Sequence, residues 1–210
     1  MGILQQRHAA RWWYRFVSPI YDPVVGETFW PEHRQREMLS DLPLSDAHVL
    51  DVGCGTGATA GLLEARAARV DALDHSRPQL RQARESVPGA RYVRGDAERL
   101  PYQGATFDVV VSIGAIIFFP DPQAALAEAH RVTRPGGHVL VAGFNRPDGP
   151  SLTPVEEWAR LANSAFYYTA DRTEAIRSFT EAGWENVETS VTGPAWHSRL
   201  IRVTTGTKPE

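Results

Sequence analysis

The sequence predicts an α/β protein built on a Rossmann-like, doubly wound sheet, and three observations support this prediction. Short apolar runs alternate with helical patterns from His48 to Phe144. The first run leads into a glycine-rich stretch, VLDVGCGTG, at residues 49–57. The second run, RVDALD, ends in the acidic residue Asp74. Because parallel strands need crossover helices between them, alternation at this spacing favours a parallel sheet with helices on both faces.

The central part of the chain, residues 46–145, is the predicted binding core. Its strands are short apolar runs, namely HVLDV, RVDALD, RYVRG, FDVVVSIGA and GHVLVAGF. Helical patterns lie between them, near 57–66, 77–86 and 122–133. Ahead of this core, residues 1–45 are rich in aromatic residues and are predicted to form a helical cap or lid, interrupted at Pro19, Pro23 and Pro31.

The last part, residues 146–210, is predicted to complete the same domain and to add elements of the substrate pocket. It holds a predicted helix near 172–182, which Asp171 is placed to cap, with Glu174 three residues further on and Gly183 just past the helix end. The stretches WENVETSV and SRLIRVTTGT then form a predicted antiparallel pair.

Composition narrows the class of protein. The chain has 210 residues, of which 42% are hydrophobic, so it can bury one good core and a single domain is expected. Its formal net charge of −3 gives no strong field for nucleic acid or an anionic membrane. The single cysteine, Cys54, leaves no disulfide framework and no cysteine cluster for zinc, and no metal site is expected. Because the chain has no apolar run of roughly 20 residues and no signal-peptide core, a cytoplasmic location is expected.

The glycine-rich stretch between the first strand and the first core helix is a candidate ligand site. A backbone without side chains at Gly53, Gly55 and Gly57 lets a ligand lie close to a helix N-terminus, although glycines also serve ordinary tight turns. Asp74 stands about 20 residues after Gly53, where a carboxylate can accept hydrogen bonds from both hydroxyls of a ribose. Loop and carboxylate together predict a nucleoside site.

The details of the loop favour one kind of nucleoside. Its spacing is G-x-G-x-G, and Asp51 stands two residues ahead of the first glycine. A carboxylate there suits an ammonium or a sulfonium better than a pyrophosphate, so S-adenosylmethionine is favoured over NAD. The stretch GDAERLPY follows the third strand, where Asp96 could accept a hydrogen bond from the adenine amino group and the Ala97 N–H could face a ring nitrogen. The other interpretation is a surface loop in which Asp96 caps a helical turn.

These pieces resemble the class I S-adenosylmethionine-dependent methyltransferases. The matching stretches are VLDVGCGTG, DALDHS, GDAERLPY, FDVVVSIGAIIFFPDP and HRVTRPGGHVLVAGF, in the order of that family. The resemblance implies a seven-stranded sheet with strand order 3-2-1-4-5-7-6 and an antiparallel seventh strand. By the same resemblance, the methionine portion lies over Gly53 and Gly55, and its amino group meets Asp51. The remaining implied contacts are the ribose with Asp74, the adenine with His75 and Asp96, and the reacting methyl with Ser112 and Gly114.

The flanks resemble a narrower group, the methyltransferases of prenylated benzoquinols. The stretches are WWYRFVSPIYD, SIGAIIFFPDP and GPAWHSRLIRVTTGTKP, most similar to the type that methylates 2-methyl-6-prenyl-benzoquinol. More distant members act on demethylmenaquinol and demethylubiquinol. This resemblance implies a small lipophilic aromatic substrate. The alternatives are methylation of another small hydrophobic molecule, an NAD-linked oxidoreductase, or a cofactor-binding protein without catalysis. No NPPY-like tetrapeptide follows the fourth strand, which argues against a nucleic-acid substrate.

Methylation of a quinol ring carbon is helped by a base that removes the quinol O–H proton. The candidates are His197, Asp22 and His33, with Tyr21 as a hydrogen-bonding partner. His197 ranks first because it follows GPAW in the segment that resembles the quinol group. The run AIIFFP, after the fourth strand, is expected to supply an apolar wall for a flat ring.

Residues 3–20 form a predicted amphipathic helix. One face carries Arg7, Arg11 and Arg15 at helical spacing, and another gathers the apolar residues Trp12, Trp13, Phe16, Val17 and Ile20. Such a stripe usually packs on its own domain, here as a lid. A basic helix with tryptophans also suits the headgroup region of a membrane, so a weak peripheral contact is expected as well. The oligomeric state is left open by the sequence.

Overall fold

The computed structural model describes residues 26–146, 170–194 and 198–210. Two short helices, α1 (Glu27–Phe29) and α2 (Glu32–Met38), stand on either side of Pro31. The core and the last part follow in the order β1 (His48–Val52), α3 (Ala58–Glu64), β2 (Arg69–Asp74), α4 (Arg77–Ser86), β3 (Arg91–Arg94), β4 (Phe107–Ile113), a 3-10 turn (Ile116–Phe118), α5 (Pro122–Val132), β5 (Thr133–Phe144), α6 (Arg172–Glu181), β6 (Glu185–Thr192) and β7 (Ile201–Thr207).

The strands form one seven-stranded sheet in the order β3-β2-β1-β4-β5-β7-β6. The pairs from β3 to β5 are parallel, whereas β7 runs antiparallel to both β5 and β6. The strand order and the antiparallel seventh strand that the resemblance implied are therefore confirmed. The order reverses at β1, so the crevice between the carboxyl ends of β1 and β4 is the switch point where such sheets bind ligands.

The core lies on both faces of this sheet. On one face, residues of α3 and α4 such as Leu63 and Leu80 join an apolar cluster with Val49 of β1. On the other face, Leu126 of α5 and Phe179 of α6 are fully buried in a second cluster. A sheet covered by helices on both sides needs apolar residues at successive strand positions, which explains why apolar residues predominate in β1 and β4, where Asp51 and Asp108 interrupt the runs.

The capping and glycine signals in the sequence predicted the ends of most helices and strands correctly. Asp171 caps α6 by accepting a hydrogen bond from the Glu174 N–H at 2.9 Å, and Gly183 follows the helix with a φ of +95°. The clearest difference concerns β5, which begins at Thr133 rather than at residue 137. Thr133 pairs with Phe107 before an irregularity in the β4–β5 register, so tertiary pairing extends the strand beyond its apolar run.

Several predictions fall outside the described residues. The helix predicted over residues 3–20 lies there, as do Tyr21, Asp22 and His197. Within the described ranges, no helix is long and apolar enough to cross a membrane. The same ranges hold no group of three or more His, Cys, Asp or Glu residues that could bind a metal ion. The division of the chain into a cap, a core and a completing part stays a prediction.

Candidate active site

A cavity of about 270 Å³ opens at the carboxyl ends of β1, β2 and β4. Its walls come from the loop after β1, the end of β2, the loop after β3, the turn after β4 and the segment before α2. Seven of the predicted cofactor residues line it, namely Gly53, Gly55, Asp74, His75, Asp96, Ala97 and Gly114. Three others, Asp51, Gly57 and Ser112, do not. The fold therefore brings most of the predicted cofactor contacts to one place.

The three loop glycines differ in what their missing side chains allow. Gly53 has a φ of +77°, and a Cβ there would lie 2.2 Å from the Cβ of Ala115. At Gly57, with a φ of +94°, a Cβ would lie 3.2 Å from the Cβ of Ala83 on α4. Only at Gly55 is the nearest atom as far as 4.0 Å. Two of the glycines thus allow close packing of the chain on itself, and Gly55 leaves room toward the cavity.

Asp74 has a part in building the loop as well as a predicted part in ligand binding. Its side chain is buried, and its Oδ2 accepts a hydrogen bond from the Gly55 N–H at 3.0 Å. Its Oδ1 accepts one from the Ser76 N–H at 2.8 Å. The carbonyl of the preceding Leu73 accepts from the N–H groups of Gly53 and Cys54, at 2.7 and 3.0 Å. The end of β2 therefore fixes both the loop and the carboxylate that lines the cavity.

Asp51 is a buried carboxyl group at the end of β1, directly before the loop. Its side chain is 1% exposed, and its Oδ2 is buried with no hydrogen-bond partner among the described residues. Burial, and then the nearby charge of Asp74, raise the pKa of Asp51 to about 8. A buried carboxylate oxygen needs a positive partner, and an amino group such as that of a methionine moiety has this charge. The residues of the loop thus fit S-adenosylmethionine.

The two interpretations of Asp96 coexist in the structure. Its Oδ1 accepts a hydrogen bond from the Glu98 N–H at 3.1 Å, so it does cap a turn. Asp96 and Ala97 also line the cavity at the point predicted for adenine. Beside them, His75 is 46% exposed and its Nδ1 lies 3.5 Å from the Oδ1 of Asp74. The assignment of these residues to the adenine stays a prediction.

Aromatic and aliphatic side chains also line the cavity. Phe118 and Phe119 come from the turn after β4, as the run AIIFFP predicts, and Ile113 is the last residue of β4. Trp30 adds an indole ring from the segment before α2. Among the described residues, the cavity lining therefore combines acidic side chains suited to a nucleoside with aromatic side chains suited to a flat, lipophilic ring.

Sequence reasoning missed Trp30, Gln35 and Thr59, which all line the cavity. The Gln35 Nε2 donates to the Trp30 carbonyl at 2.6 Å, and the Thr59 hydroxyl donates to the Gln35 Oε1 at 2.7 Å. Gln35 and Thr59 lie 24 residues apart in sequence, on α2 and α3, and belong to no recognisable motif. Only the concentration of aromatic residues before α2 gave a signal for Trp30.

Of the four predicted candidates for proton transfer, only His33 is described. It is exposed on α2 and does not line the cavity. Ser112, predicted near the reacting methyl, is buried within β4, and its Oγ has no hydrogen-bond partner among the described residues. The catalytic assignments therefore stay predictions.

A glycine-rich loop at the switch point, an acidic residue closing β2 and a seven-stranded sheet with an antiparallel last strand define the class of Rossmann-like methyltransferases. Comparison with known proteins agrees. Residues 50–141 match the family described as "Methyltransferase domain". The chain is 34% identical over 205 residues to the chloroplastic 2-methyl-6-phytyl-1,4-hydroquinone methyltransferase of Arabidopsis thaliana, covering 95% of this chain and 59% of that protein. It is 30% identical over 197 residues to the demethylmenaquinone methyltransferase of Renibacterium salmoninarum, covering 81% of each. The chain belongs to the S-adenosylmethionine-dependent methyltransferases.

Two further facts bound this assignment. The chain spans between 57% and 60% of the length of the relatives from Arabidopsis and rice that it matches. Among solved structures, the [4+2]-cyclase SpnF superposes with a TM-score of 0.77 and 17% identity, covering 99% of this chain and 97% of that one. At that identity the likeness shows the fold alone, and this fold supports more than one chemistry.

The ribose assignment predicts a large loss of cofactor affinity in an Asp74→Ala variant. Each hydrogen bond from a hydroxyl to a charged acceptor is worth roughly 1.5–3 kcal/mol, so affinity for S-adenosylmethionine should fall at least about tenfold. Isothermal titration with S-adenosylhomocysteine and with its 2′-deoxy analogue separates the ribose contact from the support of the loop. The wild type should prefer the ribose form, and the variant should lose this preference. An unchanged affinity would contradict the assignment.

Proposed function

We propose that this protein is an S-adenosylmethionine-dependent methyltransferase that C-methylates the ring of a prenylated benzoquinol or a related lipophilic quinol. The observation that carries the proposal is a single cavity lined both by the acidic residues Asp74 and Asp96 and by the aromatic residues Phe118 and Phe119. Relatives named for a phytyl hydroquinone and for demethylmenaquinone support the same substrate class.

The described residues fit the requirements of methyl transfer. Bound S-adenosylmethionine supplies an electrophilic methyl group. For this cofactor, Asp51 offers a negative charge to the amino group, Gly55 leaves room and Asp74 offers hydrogen-bond acceptors to the ribose. The aromatic side chains of the cavity hold the acceptor ring flat and exclude water, and alignment in a dry pocket is what an in-line displacement needs. A base, for which His197 is our first candidate, takes the quinol O–H proton so that the ortho carbon becomes nucleophilic.

A panel of quinols tests the proposal. The full chain is incubated with S-adenosylmethionine and, in separate reactions, 2-methyl-6-phytyl-1,4-hydroquinone, a demethylmenaquinol and a demethylubiquinol. The expected result is a product one methylene heavier by mass spectrometry, together with formation of S-adenosylhomocysteine. Calorimetric binding of S-adenosylhomocysteine without turnover of any quinol would indicate a cofactor-binding protein or another hydrophobic acceptor. Binding of NAD in its place would overturn the proposal.

We also propose that residues 3–20 cover the active site and contact the bilayer in which a prenylated substrate resides, so that the protein is cytoplasmic but peripheral at the membrane. Because the helix is short and the chain is nearly neutral, binding should be weak, reversible and stronger on anionic lipid. Liposome co-sedimentation of the full chain should show partial binding at low salt and loss of binding at high salt. A variant with Trp12→Ala and Trp13→Ala should bind less. If the full chain fails to bind at low salt but turns over a long-tailed quinol in detergent, the helix acts as a lid only.

A further inference from the structure

Two adjacent side chains of α2 hold the segment formed by residues 26–30. The guanidinium of Arg34 is buried, with 7% of the residue exposed, and its Nη1 donates to the carbonyls of Thr28 and Phe29 at 3.2 and 2.7 Å. The next residue, Gln35, donates from Nε2 to the Trp30 carbonyl at 2.6 Å. Three successive carbonyls of the segment are thus bound by α2 side chains.

Arg34 also reaches a distant part of the chain. Its Nη2 donates to the carbonyl of Gly193 at 2.9 Å, across 159 residues of sequence. No carboxylate pairs with Arg34 within the described ranges. Burying a guanidinium is costly unless hydrogen bonds satisfy it, and its planar fork favours fixed acceptors at set angles. This arrangement therefore fixes the 26–30 segment and the start of the loop between β6 and β7 relative to each other.

The segment held in this way places Trp30 at the cavity. A Cβ on Gly114, in the turn after β4, would lie 2.9 Å from Cε2 of the Trp30 indole, so the ring lies directly against the bare backbone of that turn. Phe144 of β5 packs against the same segment, and the centroid of its ring lies 5.2 Å from that of Phe29 and 6.2 Å from that of Trp30. The indole is thereby enclosed by β4, β5 and its own backbone anchor.

A second contact joins the segment that carries Trp30 to the helix that follows the glycine-rich loop. The Oε1 of Gln35 accepts a hydrogen bond from Thr59, which stands on the first turn of α3 directly after the glycine-rich loop. One side chain thus links the backbone of Trp30 to the helix that follows the loop. This link ties the backbone position of Trp30 to that of α3.

We propose that Trp30 is a specificity-determining residue against which the flat ring of the methyl acceptor packs, and that Arg34 and Gln35 are positioning residues that hold it there. The assignment of an aromatic acceptor to this wall rests on the proposed function. The side-chain hydrogen bonds of Arg34 do not go to carbonyls of α2 itself. Instead they converge on the segment that carries Trp30 and on Gly193.

The test compares Arg34→Lys, Trp30→Phe, Trp30→Ala and the double variant of Arg34→Lys with Trp30→Ala. Arg36→Lys is the matched control, because Arg36 is exposed on the same helix and pairs only with Glu32 among the described residues. With 2-methyl-6-phytyl-1,4-hydroquinone, Arg34→Lys and Trp30→Ala should each raise KM about tenfold, while Trp30→Phe retains most of the wild-type value. Affinity for S-adenosylhomocysteine should change less than about twofold. If Arg34 acts through Trp30, the double variant should be no worse than Trp30→Ala alone.

Additive losses in the double variant would overturn the positioning role, and an unchanged KM in Trp30→Ala would overturn the specificity role. Hydrogen exchange gives a readout that needs no substrate. The Trp30 N–H donates to the Gly26 carbonyl at 2.8 Å, so its exchange should be at least about tenfold faster in Arg34→Lys than in Arg36→Lys. Equal exchange rates in the two variants would overturn the positioning role of Arg34. If wild-type protein turns over no quinol, the proposed function and the acceptor role of Trp30 both fail. Hydrogen exchange still tests whether Arg34 holds the segment that carries Trp30.

Discussion

Replacing His197 with alanine is expected to lower kcat for quinol methylation by about 10²–10⁴-fold while leaving cofactor binding intact. The reason is the distribution of ionisable groups around the cavity. Among the described lining residues, Asp74, His75 and Asp96 are the ionisable ones, and the resemblance assigns all three to the cofactor. Under the proposed function, a group from another part of the chain therefore takes the quinol proton.

One observation argues against His33, and a second concerns the stretch that precedes His197. His33 is exposed on α2 and outside the cavity lining, so His33→Ala should change kcat by less than about threefold. His197 follows Gly193 by four residues, and the Gly193 carbonyl is bound by Arg34, which also binds the segment leading to Trp30. Gly193 is therefore linked through Arg34 to the segment that carries Trp30.

Steady-state kinetics at several pH values, with titration of S-adenosylhomocysteine, checks this prediction. His138, which stands on β5 and lines a separate groove, provides a matched control as His138→Gln. A near-normal kcat in His197→Ala would remove His197 as the base and leave Asp22 as the next candidate, with Tyr21 as its partner. Equal losses of kcat and of cofactor affinity would instead indicate a structural role.

The sequence predicted those features of the site that depend on neighbouring residues. The loop after β1 and the carboxylate that closes β2 follow from a single strand–loop–helix unit and the strand after it, and the structure brings them together. The strand order could not be obtained from apolar periodicity, which says nothing of lateral neighbours, and it came from the family resemblance. Pairing also overrode periodicity at Thr133, which extends β5 beyond its apolar run.

Features that depend on contacts between distant segments could not be predicted. The buried Arg34 and Gln35 stand in an exposed-looking polar helix, EHRQREM, and only the fold shows that they bind the segment before it. The loop glycines show the same limit. From the sequence, approach of a ligand is the reason proposed for all three glycines. The structure shows that Gly53 packs against Ala115 and Gly57 against Ala83, so only Gly55 has open space where a ligand could approach.

Asp51→Asn is expected to stabilise the protein without ligand and to weaken its binding of the cofactor. Burial, and then the charge of Asp74, raise the pKa of Asp51 from 3.8 to about 8, so between these pH values the folded state holds a proton that the unfolded state has lost. The stability contributed by the protonated carboxyl is complete below pH 4 and is lost as pH rises toward 8. Asparagine does not titrate, so it avoids this loss.

The expected advantage of the variant therefore grows with pH. Between pH 5 and pH 9, its free energy of unfolding should rise relative to wild type by about 2–4 kcal/mol. Denaturant unfolding at several pH values, without ligand, measures this difference. A constant difference between the two proteins across that range would show that Asp51 does not titrate as its burial requires.

Ligand binding should instead favour the wild type over the Asp51→Asn variant. The ammonium of S-adenosylhomocysteine stabilises the ionised form of Asp51, so binding to wild type at pH 7 should release about one proton, measurable by calorimetry in buffers of different ionisation enthalpy. The variant should release none from this site and should bind about 10–100-fold more weakly, because it loses a hydrogen bond to a charged group. Equal proton release by the two proteins would contradict the pairing of Asp51 with the ligand amino group. If both results hold, the buried carboxylate that destabilises the ligand-free protein as pH rises above about 4 is also the group whose charge binds the cofactor.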